Sequence, residues 1–92
     1  PIFTVAEALH GSVHEGSTIY PQNIALASTF NPELAYLRAT EISKELHYQG
    51  INQILAPCID VVRDLRWGRI EESYGEDPYL NGIFAYKKLK AI

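Results

Sequence analysis

INQILAPCIDVV, residues 51–62, has at its centre ILAPCI, a short and almost wholly apolar run bounded by polar positions. A strand with one wet face alternates apolar and polar residues; an unbroken apolar run instead predicts a strand covered on both faces, as in parallel sheets. Pro57 lacks an N–H for a ladder and is expected to mark the strand's end. The flanking segments decide whether the sheet is parallel. Upstream, Asn31-Pro32 opens PELAYLRATEISKELHYQ. Asn can accept a hydrogen bond from an orphan N–H at a helix start, and Pro suits the first helical position because its N–H is not needed there. Leu34, Leu37, Ile42 and Leu46 are expected mostly on one side of that helix, with Gly50 as its left-handed terminator. Downstream, Asp77-Pro78 repeats the start signal before YLNGIFAYKKLKAI, a second helix weakened by Gly82.

At the N-terminal end, PIFTV reads as a first strand ending at Val5, and AEALHGSVHEGST, with Gly11 and Gly16, as a loop. The order is strand, helix, strand, helix. Such alternation predicts an α/β chain of parallel strands with crossover helices, either a doubly wound sheet or a β/α barrel. Both architectures gather chemistry beyond the carboxyl ends of strands, here AEALHG and DVVRDLRWGRIEESYGED. Two strand-helix units do not close a barrel, which takes eight strands.

With 47% apolar and 21% charged residues, the 92-residue chain has a globular rather than a disordered composition. Net charge is −3, and Lys and Arg are scattered apart from KKLK at 87–90, so neither nucleic acid nor an anionic membrane is expected as a partner. The single cysteine, Cys58, forms no internal disulfide and leaves the redox compartment open. No apolar run approaches the roughly 20 residues of a membrane span. A chain that starts at Pro1, contains no Met and stops inside a helical pattern is expected to be part of something longer.

RDLRWGRIEESYGEDPYL, residues 63–80, packs eight charged side chains around the only Trp. Glu71, Glu72, Glu76 and Asp77 invite a paired-carboxylate reading, since glycosidic cleavage uses one acid to protonate the leaving group and another to attack or activate water. Against it stands a structural reading: Asp77 caps a helix, and the other carboxylates neutralise Arg63, Arg66 and Arg69 within a folded loop. A guanidinium so held can offer its remaining donors to a hydroxyl-rich ligand or simply pin the loop. Trp67 can stack on a sugar or base, or belong to the core. His10 and His14 have metal-ligand spacing only on a helix, which Gly11 opposes; His47 is expected at the surface and Cys58 as a buried structural thiol. No GxGxxG, GxxxxGK[ST] or GxSxG occurs, so nucleotide-binding and serine-hydrolase readings lapse.

Two blocks together, EALHG at 7–11 with TIYPQNIALASTFNPEL at 18–34, and APCIDVVRDLRWGRIEESYGEDPYL at 56–80, resemble the N-terminal barrel domain of glycoside hydrolase family 3, which includes β-glucosidases and β-xylosidases. The resemblance implies that residues 1–92 are about two strand-helix units of a (β/α)8 barrel. It implies that Arg69, of the WGR triplet, and Glu7, opening the EALHG motif, bind the hydroxyls of a terminal sugar. It places the nucleophile, the acid/base and a Lys-His pair outside this chain, so no catalytic residue is assigned here, and it implies no metal or organic cofactor. The expected partners are an oligosaccharide or β-glycoside substrate and the rest of the barrel. A periplasmic or secreted location is also implied. Glu7 departs from the Asp of many family β-glucosidases; its extra methylene reaches roughly 1.5 Å further into the pocket, which could crowd a hydroxymethyl group and favour a pentose. Leu65 stands where the family usually has Pro, which frees the loop's backbone. The rival reading is a non-catalytic β/α or carbohydrate-binding piece with a purely structural loop.

Overall fold

A computed structural model describes all residues, 1–92. In chain order it contains strand β1 (Val5–Ala6), helix α1 (Asn23–Ala27), helix α2 (Pro32–Tyr48), strand β2 (Gln53–Ile54), a 3₁₀ turn (Ile70–Glu72) and helix α3 (Pro78–Ala91). The two strands are parallel, Val5 facing Gln53 and Ala6 facing Ile54. Backbone bonds from Asn52 and Gln53 to the Thr4 carbonyl and from Leu55 to the Ala6 carbonyl extend the ladder at both ends.

Both strands are shorter than the apolar runs suggest, and the first includes Val5 rather than ending there. The expectation of two covered faces is not met within these residues. Ala6 and Ile54 pack against Ala8, Ile42 and Leu46, whereas Val5 and Leu55, on the alternate side of the pleat, are about half exposed. β2 stops at Ile54, before Pro57.

α2 is capped as its sequence requires: the Asn31 side chain accepts from the Glu33 N–H at 3.2 Å. Gly50 takes φ +74°, and the Gly50 and Ile51 N–H groups return to the His47 and Leu46 carbonyls, closing a Schellman motif. Its buried stripe is Ala35, Arg38, Ala39, Ile42 and Leu46. Leu34 and Leu37 lie off that stripe and are exposed, because the seam against α3 runs through alanines small enough for close approach. α3 is capped by Asp77, whose carboxylate accepts from the Leu80 N–H at 3.1 Å.

The main core joins Leu26 and Ala27 of α1, Ala35 of α2, Phe84 and Ala85 of α3, and Tyr74, whose ring centroid lies 5.4 Å from that of Phe84. Burying Phe84 stabilises the helix pair by about 2–3 kcal/mol. Neither α1 nor the 3₁₀ turn is anticipated by periodicity, and both brace the charged loop.

Candidate functional site

Glu7 follows the last residue of β1 and is exposed. The next residue, Ala8, is buried and has φ +52°, an uncommon conformation for a side chain with a Cβ. Gly11 has φ +139°, and a Cβ there would meet the Thr18 carbonyl oxygen at 2.5 Å. The loop is closed where the Tyr20 N–H donates to the His10 carbonyl at 2.8 Å and His10 Nδ1 lies 3.0 Å from the Tyr20 carbonyl. Residues 5–10 and 12–14, Glu7 among them, frame a hollow of about 340 Å³.

The second loop is closed by the Val62 N–H donating to the Gly75 carbonyl at 3.1 Å. Within it, Asp64 accepts from the Arg66 backbone N–H at 2.9 Å and from the same residue's guanidinium at 2.6 Å, forming an Asx turn. Arg66 thereby holds the Asp64 carboxyl below the usual carboxylate range. Arg69 Nε donates to Glu72 Oε2 at 2.6 Å across the 3₁₀ turn. The expected three-arginine network thus resolves into two local pairs: Arg63 has no carboxylate partner, and Glu71 and Glu76 are exposed. Tight turns bring only the nearest carboxylates within reach. Trp67 is half-buried, bordering a hollow of about 260 Å³ with Asp60, Val61, Arg63 and Asp64, so it belongs to neither apolar cluster.

The Glu72 hydrogen bond raises the Arg69 pKa above its ordinary value, with smaller contributions from the Cys58 thiol and the Glu7 carboxylate. With Nε occupied by Glu72, the terminal nitrogens of Arg69 have no protein partner and remain available as donors. Cys58 is buried and its thiol donates to Asp60 Oδ2 at 3.2 Å; burial first, then that bond, pushes its pKa up.

Several residues that support these loops are not singled out by motif or period. Asn23, at the start of α1, donates to the Glu72 carbonyl at 2.5 Å and accepts from the buried Arg38 guanidinium, which also donates to the Pro21 carbonyl at 2.7 Å. Asn81 accepts from the Tyr74 N–H at 3.2 Å and donates to the Gly75 and Asp77 carbonyls at 2.8 and 3.0 Å. Lys88 is buried beneath the Glu7 loop. Their only sequence signal is a polar residue at a helical position that the packing turns inward.

The model of the glycosyl hydrolase family 3 N-terminal domain matches residues 1–92. This chain belongs to glycosyl hydrolase family 3. Family 3 relatives include a β-xylosidase of Formosa agariphila, 43% identical over 87% of the chain, and a periplasmic β-glucosidase of Salmonella typhimurium, 36% identical over all of it. A solved mutant β-glucosidase of Listeria innocua in complex with laminaribiose superposes with a TM-score of 0.90 at 33% identity, covering 99% of this chain and 12% of its own. The chain spans about an eighth of these family 3 proteins, 12% of each curated relative.

Proposed function

We infer that residues 1–92 supply sugar-binding loops to an exo-acting retaining β-glycosidase that releases terminal β-D-glucosyl or β-D-xylosyl residues. Glu7 and Arg69 grip the hydroxyls of the terminal sugar, while the nucleophile and the acid/base come from outside these residues. The parallel β1–β2 pair is one segment of a (β/α)8 barrel whose remaining strands cover the exposed faces of Val5 and Leu55. The observation that supports the reading is that Glu7 directly follows β1 and Arg69 lies in the loop that follows β2, its parallel partner, with the Arg69 terminal nitrogens unpartnered. The names of the relatives support the substrate class, and the periplasmic relative supports a periplasmic or secreted location.

Catalysis then gains from bonds that tighten as the sugar flattens toward an oxocarbenium ion, before a covalent glycosyl-enzyme forms and is hydrolysed with net retention. Glu72 prepares Arg69 for this: by taking Nε it restrains the guanidinium plane and leaves the terminal donors free. The 92 residues alone are expected to be inactive, since positioning without a nucleophile leaves both covalent steps unassisted.

Kinetics of the full-length protein on aryl β-glucosides and aryl β-xylosides test the assignment. A hydrogen bond to a charged group is worth about 1.5–3 kcal/mol, so Arg69→Ala is expected to lower kcat/KM roughly 10- to 100-fold. Unchanged kcat/KM in a folded Arg69→Ala protein removes Arg69 from the site. Glu7→Asp is expected to shift the preference from xyloside toward glucoside by shortening the carboxylate; an unchanged ratio removes Glu7 as the determinant of that preference.

A further inference from the structure

Lys88 lies on the inner face of α3, is 1% exposed, and has no carboxylate partner. Its Nζ donates instead to two successive backbone carbonyls, Ala8 at 3.3 Å and Leu9 at 3.1 Å. They belong to the two residues that follow Glu7. Ala8 is itself in the left-handed region at φ +52° and is 2% exposed, packed with Ile42 and Leu46. A non-glycine residue keeps such a conformation only where its surroundings over-determine it. Here the surroundings are an apolar seat for the methyl group and one amine on which two carbonyls converge. The chain directly after Glu7 is thereby tied to α3 through both carbonyls.

We propose that Lys88 is a positioning residue for sugar binding, its buried amine clamping the Ala8 and Leu9 carbonyls so that the Glu7 carboxylate stands over the substrate pocket. This rests on the reading of Glu7 as a sugar ligand. An apolar residue could occupy a buried position of α3, as Phe84 does one turn earlier against Tyr74, but at position 88 it would leave both carbonyls unpaired. A surface ion pair is not its role, because the ammonium neither reaches solvent nor meets an acid. The only charged side chain whose field it feels is the Arg38 guanidinium of α2, which is repulsive. Burial and the Arg38 charge both disfavour the ammonium, and the two carbonyls are the amine's hydrogen-bond partners.

The test is a double-mutant cycle in the full-length protein on an aryl β-glycoside, with Lys88→Met, Glu7→Gln and the combination. Lys88→Met keeps an unbranched apolar stem and deletes the donors. It is expected to lower kcat/KM about 10-fold, mainly through KM, in protein that is folded by circular dichroism. In the Glu7→Gln background the same substitution is expected to cost less than 2-fold, since the group it positions is already compromised. Full additivity of the two losses, or unchanged kcat/KM in Lys88→Met, overturns the proposal and leaves Lys88 a structural residue only. Should Lys88→Met not fold, Lys88→Leu, which also deletes the donors, enters the same cycle with the same outcomes deciding. Failure of the underlying reading appears separately, as a Glu7→Gln protein whose kcat/KM matches wild type.

Discussion

Gly11 is the residue whose identity the backbone dictates most strongly. Its φ of +139° is one that L side chains rarely adopt, and a Cβ would stand 2.5 Å from the Thr18 carbonyl oxygen, a backbone atom that cannot yield. Gly11→Ala is expected to destabilise the full-length protein by at least about 1–3 kcal/mol, read from urea midpoints, and to lower sugar affinity by displacing the loop that begins at Glu7. Wild-type stability in Gly11→Ala would show that the turn relaxes freely. At this scale the sequence is legible where chemistry leaves one choice: the Asn31 and Asp77 caps and Gly50 all have the roles their residue types predict. It is less legible where a side chain has two plausible partners. Arg63, Arg66 and Arg69 look equivalent in the text, yet only Asp64 and Glu72 fall within reach of a guanidinium once the turns close.

Among elements, the two long helices are readable because local signals begin and end them, whereas the strands and short turns depend on distant partners. A strand's length is set by what pairs with it, so of the six-residue apolar run only Ile54 lies in β2, which is Gln53–Ile54. α1 is too short for any period to appear, and the 3₁₀ turn is held from outside by Asn23. The buried face of α2 is half anticipated: Ile42 and Leu46 are buried as expected, whereas Leu34 and Leu37 are exposed and Ala35, Arg38 and Ala39 take the inner positions. Asn81 shows how one element shapes another. Its amide satisfies the Tyr74 N–H and the Gly75 and Asp77 carbonyls, so α3 fixes the segment that closes the Arg69 loop. Asn81→Ala is expected to cost about 1–3 kcal/mol through the polar groups left unpaired, and hydrogen exchange should accelerate at Tyr74 while the centre of α2 stays protected. Loss of protection in both places would mean that the segment and the helix pair unfold as one unit.

For the molecule as a whole, the buried amine and phenol tie stability to alkaline pH in opposite senses. Burial, with a smaller repulsion from Arg38, lowers the Lys88 pKa from 10.5 to about 7. Between those values the unfolded chain carries a proton on Lys88 that the native state lacks, so native stability rises with pH. Burial likewise pushes Tyr74 from 10.0 up to about 12, despite the nearby Arg38 guanidinium. Over that higher range the unfolded phenol loses its proton first, and stability falls. Cys58, raised by burial from 9.0, adds to the fall once the unfolded thiol ionises. The interval from pH 7 to 8.5 therefore isolates Lys88 among these three groups. Across it, the unfolding free energy of the wild-type protein from urea titration should climb by up to about 1.4 kcal/mol per pH unit, the limit for one proton, and Lys88→Met should remove that climb. Equal pH slopes for the two proteins would mean that the native amine stays charged, and that its two carbonyls and whatever solvent reaches them stabilise an ammonium that burial alone would strip of its proton.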